Sequence, residues 1–428
     1  MTIKNTLPWI TDLEKNSVLS ALDEANLSGF SGTLTSAQLK DLRMISAEVP
    51  NSETAFLGGK LVRQCEREIA EICNTKFCVL MNSATSALMA GIAALELPPQ
   101  SLIGLPTVSF SATIAAVIAA GHQPVYVDID TSCSADPRHL KKVISDRSIK
   151  AFIFVQWAGN GKNLNAIEEI CNDHDVILIE DSSQATMTES PDGRYNGSVG
   201  NFGIFSFNGP KNLSAGEGGC LITNDPDIAF YSRLTRNHGE AALIAPKEVD
   251  LNRFRVGFNL RPTEVTAALV ISQLARRHEL HNLREKNFKL LCDRFKGFLD
   301  PVDGSKFQKP YCGSFFLSSS QKGLKTALIE EASRQGIPLF GNYPLEHWEI
   351  GSSFGSDIDL QDFPGTLFYL ERYIGIFSIA YPNSEENIIY LTEKIISILD
   401  EMPLNLEIKQ RSKSFNIGNR TLAIKKAI

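Results

Sequence analysis

The chain has 428 residues, 43% hydrophobic and 21% charged, enough for a large buried core and about two or three domains. A formal net charge of −7 argues against an overall basic field that would draw nucleic acid. The eight cysteines are scattered, with no CxxC pair and no Cys/His cluster at metal-ligand spacing; no metal is expected, and a reducing, cytoplasmic setting fits.

The N-terminal residues carry no apolar h-region, so no signal peptide is expected, and the longest apolar stretch, 112–120, is too short to span a bilayer. Residues 1–50 read as an arm with a short helix at 12–24 and a loop of small residues at 28–35. A turn at Gly58-Gly59 precedes 61–73, where Leu61, Cys65, Ile69 and Cys73 recur one helical turn apart, the mark of an amphipathic helix. Strands and helices then alternate. Strands are expected at 77–81, 101–105, 124–127, 151–156 and 176–180, with helices at 83–95, 110–120, 137–144 and 164–173 between or after them. The strands are continuous apolar runs, which predicts a largely parallel sheet covered on both faces. Two further strands, 204–207 and 220–223, flank a turn and a loop of small residues. A helix from 225 leads to the loop 236–239, and 241–258 reads as irregular and exposed or inter-subunit. A long helix over 263–298 opens a second, smaller domain with strands at 315–317 and 338–340 and helices at 326–334 and 386–399. The stretch 409–428 holds six basic residues and no acidic one. It reads either as a contact for nucleic acid or membrane or, more commonly for so short a run, as a solvated extension.

Several residues able to carry chemistry fall where strands end, which is where ligands bind in an open parallel sheet. Lys211 sits in a tight turn, Asn208-Gly209-Pro210, between two apolar strands. It either tops a hairpin in water or serves as a Schiff-base amine. Asp181 follows the apolar run VILIE and is either a helix N-cap or a carboxylate paired with a cation. Ser83-Ala84-Thr85-Ser86 opens a helix, as a plain cap or as an anion cradle. No GxGxxG or P-loop pattern accompanies it. Phe110 starts another helix, as core or as a stacking ring. Together these make an anion cradle, an aromatic plate, a carboxylate and a lysine along one sheet edge. Pyridoxal 5′-phosphate needs each of them, for its phosphate, ring, pyridine nitrogen and aldehyde.

Six ordered blocks carry a family resemblance: NSATSAL from Asn82, PTVSFSAT from Pro106, EDSSQA from Glu180, FSFNGPKNLSAGEGG from Phe205, RNHG from Arg236 and GFNLRPTEVTAAL from Gly257. The sequence resembles the DegT/DnrJ/EryC1/StrS family of pyridoxal-phosphate sugar aminotransferases. The resemblance implies the type I fold of these α/β enzymes: a large domain with a mostly parallel seven-stranded sheet flanked by helices, plus a smaller α+β C-terminal domain. The expected division is an arm at 1–50, a cofactor-binding domain at 51–255, a small domain at 256–405 and a basic tail at 406–428. By resemblance, Lys211 is the Schiff-base lysine and proton carrier, Asp181 the partner of the pyridinium nitrogen and Gln184 a donor to the cofactor's ring oxygen. Phe110 is the stacked ring, Ala84, Thr85 and Ser206 form the phosphate cradle, and Asn259 reaches the phosphate of the neighbouring subunit. The last role implies a homodimer with sites at the interface. His238 and Tyr343 are candidates for substrate contact; Tyr343, His347 and Trp348 either touch a sugar or cyclitol or, the commoner case, are core and surface of the small domain.

The resemblance further implies glutamate or glutamine as amino donor and a keto-sugar or cyclic ketone as acceptor. Some family members are dehydratases with histidine in place of the lysine; the lysine kept at 211 argues for transamination. A dehydratase or lyase of the same fold, and a non-catalytic cofactor-binding regulator, are the competing readings. The chain departs from the common pattern at Asn208-Gly209-Pro210, at Pro262 and at Gln156-Trp157, departures expected to bear on the substrate side.

Overall fold

A computed structural model describes residues 2–23, 58–239, 256–304, 309–341, 346–355 and 359–402. Tyr343, the segment 241–255 and the basic tail lie outside these residues. The N-terminal helix is α1 (Asp12–Asp23). The alternating region runs α2 (Lys60–Cys73), β1 (Phe77–Met81), α3 (Ala84–Ala94), β2 (Leu102–Pro106), α4 (Ser111–Ala119), β3 (Gln123–Val127), α5 (Pro137–Arg147), β4 (Ala151–Val155), α6 (Leu164–Asp173) and β5 (Ile177–Asp181). It closes with β6 (Phe202–Ser206), β7 (Gly219–Thr223) and α7 (Pro226–Arg236).

These strands form one seven-stranded sheet in the order β1-β7-β6-β5-β4-β2-β3. The pairs β3–β2, β2–β4, β4–β5 and β5–β6 are parallel, while β7 runs antiparallel between β6 and β1. Strands β1, β4, β6 and β7 are buried at every position, which is why they read as unbroken apolar runs rather than alternating ones. Helices cover both faces. One side chain set packs Val79, Ile103, Ile153, Ile179 and Ile204 against α3, α4 and α7; on the other face Phe152, Phe154 and Leu178 meet α5 and α6. Because the parallel strands share one direction, Pro106, Val155, Asp181 and Ser206 all end at the same edge.

The C-terminal part begins with α8 (Glu264–Ala275) and α9 (Arg277–Arg294). The single helix expected over 263–298 is therefore two. Arg276 leaves helical geometry at φ −101°, ψ 6°, and its guanidinium is held by Glu14 Oε1 at 2.8 Å and the carbonyl of Trp9 at 3.2 Å. Beyond it come β8 (Leu299–Pro301), β9 (Gly313–Leu317), α10 (Lys325–Arg334), α11 (Glu346–Ser353), α12 (Pro364–Arg372), β10 (Tyr373–Ile376) and α13 (Glu385–Glu401). The three short strands form a sheet in the order β10-β9-β8. The strand expected at 338–340 is absent. Pro338 has no N–H to contribute to a ladder, and only Phe340 pairs, in an isolated bridge to Gly375.

Several tethers join the parts, among them Asp128 and an N-terminal strap. Asp128, just beyond β3, accepts from the backbone N–H groups of Gly365 and Thr366, both at 2.8 Å, and so caps α12 from the other sheet. The chain before α1 lies as a strap. Its Lys4 N–H donates to Asn383 and its Leu7 N–H to the carbonyl of Tyr381. The Trp9 ring stacks on Tyr381 with centroids 5.7 Å apart. Burial pushes the Glu14 carboxyl up, but hydrogen bonds from Thr11 and Arg276 outweigh it and hold the group at about 2.

Candidate active site

A cavity of about 520 Å³ opens at the carboxyl edge of the large sheet, a size suited to a cofactor-sized ligand. Seven of the residues singled out in the sequence line it: Ala84, Thr85, Phe110, Asp181, Gln184, Ser206 and Lys211. Chain topology explains the convergence, since each sits where β1, β2, β5 or β6 gives way to a helix or turn.

Ser83 is the N-cap of α3, and its hydroxyl accepts from the Ser86 N–H at 3.1 Å. That bond uses one of the orphan donors of the first turn and leaves those of Ala84 and Thr85 at the cavity. The helix dipole adds to their pull on an anion. Gly219, the first residue of β7, abuts this helix end. A Cβ there would lie 2.2 Å from the Ala84 nitrogen, so only glycine lets β7 pass so close to the cradle. Ser206, 5% exposed, ends β6 on the same side.

Asp181 is the last residue of β5. One oxygen accepts from Thr113 Oγ1 at 2.9 Å and the other from the Ser183 N–H at 3.2 Å; Ser109 in turn meets Thr113 at 2.6 Å. Its neighbour Glu180 points to the opposite face, as strand alternation requires. There it accepts from the N–H groups of Gly197, Val199 and Gly200 and from Gln156. Burial still pushes the Glu180 carboxyl up against those bonds. Of the two adjacent acids, then, one supports the loop after β5 and the other faces the cavity.

Gln184 accepts from the Ala158 N–H at 2.7 Å, which commits its oxygen and leaves its NH₂ to donate. Phe110 stands at the N-cap of α4 and is 49% exposed, so it is a plate at the cavity mouth rather than core. Lys211 is held by its N–H to the Asn208 carbonyl at 3.0 Å, and its Nζ lies 4.6 Å from the centre of the Tyr311 ring. Burial pulls the amine from its ordinary 10.5 down to about 8; Asp181 and Cys312 oppose the fall and Arg284 adds to it.

The sign of that shift has two consequences. The unfolded chain binds more protons than the folded one between pH 8 and 10.5, so Lys211 detracts from stability below about 8 and the penalty fades as pH rises. Nucleophilic reactivity follows the free amine. In protein freed of cofactor, labelling of Lys211 by an amine reagent should reach half its maximal rate near pH 8, against about 10.4 for an ordinary lysine. Peptide mass spectrometry reads this directly, and a midpoint above 10 would refute the buried amine.

Two candidates are not brought into the cavity of this chain. Asn259 and His238 lie on a ribbon formed by the Asn237–Asn259 bridge, and both are exposed. His238 has a left-handed φ of 59°. Gln156 and Trp157, expected on the substrate side, are instead structural. Gln156 is fully buried between Glu180 and Ser182, and Trp157 packs edge-on against Tyr369 and Tyr373. His347 is buried and bonds the carbonyl of Pro106, while Trp348 Nε1 donates to that of Thr107; both brace the turn that leads to Phe110. Sequence reasoning missed Tyr311, Phe377 and Glu217, which also line the cavity. Glu217 could have been found from its place in the loop after Lys211, where it accepts from Asn208 Nδ2 at 2.8 Å. Nothing local marks the two rings.

Among the described residues no group of three or more His, Cys, Asp or Glu could hold a metal ion, and no helix is long and apolar enough to cross a membrane. Lysine, carboxylate, aromatic plate and helix N-terminus in one cavity do fit pyridoxal phosphate, charge for charge.

Comparison with known proteins gives the same picture. The model of the DegT/DnrJ/EryC1/StrS aminotransferase family matches residues 40–347. The GDP-4-keto-6-deoxy-D-mannose 3-dehydratase of Escherichia coli O55:H7 is 27% identical over 71% of this chain and 83% of its own length. The GDP-perosamine synthase of Caulobacter vibrioides is 32% identical over 53% of this chain, and the match spans 60% of that enzyme. In three dimensions the aminotransferase PseC of Helicobacter pylori superposes with a TM-score of 0.78 at 21% identity, covering 94% of this chain and all of that one.

Proposed function

The chain belongs to the DegT/DnrJ/EryC1/StrS aminotransferase family and is by that membership a pyridoxal-phosphate-dependent aminotransferase; we propose that it moves an amino group from glutamate or glutamine to the carbonyl of a keto-sugar, nucleotide-linked or free. The observation that carries this reading is Lys211 sharing one cavity with Asp181 and the open end of α3. The acceptor class rests on relatives named as a transaminase and an aminotransferase of nucleotide-linked deoxysugars, and on the GDP-perosamine synthase. A cyclic ketone of similar size is the second acceptor class.

Each residue has a task in that reaction. The N–H groups of Ala84 and Thr85 and the Ser206 hydroxyl would hold the phosphate, and Phe110 would cover the ring. Gln184 would donate to the ring oxygen, and the Asp181 carboxylate would keep the ring nitrogen protonated. Bound there, pyridoxal phosphate supplies a carbonyl that exchanges amines and a ring that accepts electron density. Lys211 Nζ would move the proton between the substrate carbon and the cofactor's carbonyl carbon, off the donor's α-carbon in one half-reaction and onto the acceptor's carbonyl carbon in the other. An amine that is half free near pH 8 suits that exchange. Asn259, exposed on its ribbon, would reach the phosphate of a second copy, making the working unit a homodimer.

The dehydratase reading has one observation behind it, the long alignment with the E. coli enzyme. One experiment separates the two. Purified protein is given glutamate or glutamine together with a GDP-, UDP- or dTDP-linked 4-keto-6-deoxysugar, and products are read by mass spectrometry. An amino-sugar with one equivalent of oxo-acid supports the proposal. A deoxygenated keto-sugar that keeps no nitrogen means dehydration.

A further inference from the structure

Arg284 lies on α9, 73 positions along the chain from Lys211. It is 3% exposed. Its Nη2 donates to the carbonyls of Pro210 at 3.0 Å and Lys211 at 2.8 Å, and its Nη1 to the carbonyl of Tyr311 at 2.8 Å. Among the described residues no carboxylate pairs with it. Three carbonyl dipoles are its compensation, and burial brings the guanidinium down to about 10. A buried cation without a counter-ion is expensive, and an uncharged side chain would fill the space at less cost.

The three carbonyls are not scattered. Two belong to the peptide units on either side of the Lys211 Cα, in a turn where Pro210 has no N–H to offer. The third belongs to Tyr311, whose ring lies against the lysine amine. The Tyr311 N–H in turn donates to the Ala158 carbonyl at 3.0 Å, and the Ala158 N–H holds Gln184. One guanidinium thus gathers the lysine turn, the ring beside the amine and, at one remove, the amide that borders the cavity. Only the planar fork of arginine reaches three acceptors in fixed directions.

We propose that Arg284 is the positioning residue of Lys211: it clamps the main chain of the lysine turn to the segment that carries Tyr311, and so sets where the amine stands in the cavity. The inference rests on the lysine's role given above. Its charge acts as well as its geometry. Beside the Tyr311 ring, the charged or titratable groups that bear on the amine are Asp181, Cys312 and Arg284, and of these three only Arg284 favours the neutral form.

Two variants of the full chain test this. Arg284→Lys keeps the cation but cannot span three carbonyls. It should fold, show kcat lower by about 10- to 100-fold and keep the donor KM within about threefold, because alignment is lost rather than binding. Arg284→Gln removes the cation. The labelling midpoint of Lys211, measured on cofactor-free protein, should rise by about one pH unit. A purely structural arginine would lower the melting temperature in both variants and move neither the midpoint nor the ratio of kcat to KM. A folded Arg284→Lys protein with wild-type kcat, or a folded Arg284→Gln protein with an unshifted midpoint, overturns the proposal. If Arg284→Gln does not fold, the Arg284→Lys kinetics decide. If the wild type transaminates nothing, the proposed reaction fails, and the labelling midpoint still judges Arg284 by itself.

Discussion

Lys211→Ala is expected to lose transamination by on the order of 10⁴-fold or more, while the folded chain keeps its melting temperature to within a few degrees. The loss is large because one side chain has two tasks, holding the cofactor carbonyl and carrying the proton between carbon atoms, and no second amine borders the cavity among its lining residues. Alanine should fit without distorting the turn, since the Asn208 and Arg284 bonds are made by the backbone of residue 211. Turnover with glutamate and the accepted keto-sugar measures the effect. The visible absorbance of the cofactor-loaded protein gives a second readout and should shift toward that of the free aldehyde. Transamination within tenfold of wild type would remove Lys211 from the chemistry.

Glu66→Ala should be the most damaging change to stability, by about 3–5 kcal/mol in denaturant unfolding. Glu66 is 1% exposed and stands between Arg236, 2.7 Å away, and Arg233, 3.3 Å away; it also accepts from the Leu80 N–H at 2.8 Å. Truncation leaves two buried guanidinium groups facing each other. The same arginines donate to the carbonyls of Cys78 and Leu80 at 2.9 Å, so the network fastens β1, the strand that delivers Ser83 to the cavity. Weaker retention of cofactor should accompany the fall in stability. A denaturation midpoint like that of the wild type would show that the three charges contribute nothing net. Glu66→Gln, which keeps the shape, should lose less than alanine.

The parts that could be read from the sequence share a physical character. Ser83, Phe110, Asp181 and Lys211 stand where an apolar run of about five residues stops, and a polar group at such a boundary is visible without coordinates. The buried strands announced themselves the same way. What could not be read depends on distant packing. Tyr311 and Phe377 carry no local mark; only the meeting of the two sheets brings the Tyr311 ring beside Lys211 and the Phe377 ring beside Tyr311. Arg284 reads as one more charge on a helix rich in charges, although it faces inward. Gln156 misled in the opposite sense. It stands at a strand end, where function was expected, yet it serves the buried Glu180. The break at Arg276 was hidden because both halves have helical composition and the bend is made by Glu14 and Trp9, more than two hundred residues away.

The pairing of β1 with β7 bears on the order in which the molecule can be assembled. In the sheet, β1 touches only β7, and Phe77 and Thr223 are register partners nearly 150 residues apart. While the chain emerges from the ribosome, β1 must wait as an unpaired apolar strand until β7 has been made, after the parallel strands between them are already available to one another. The strap waits longer still, since its Lys4 partner, Asn383, comes 379 positions later. The phosphate cradle follows β1, so it is completed late. Capture of pyridoxal phosphate should therefore mark the last stages of folding, and the coloured cofactor gives a clock for them.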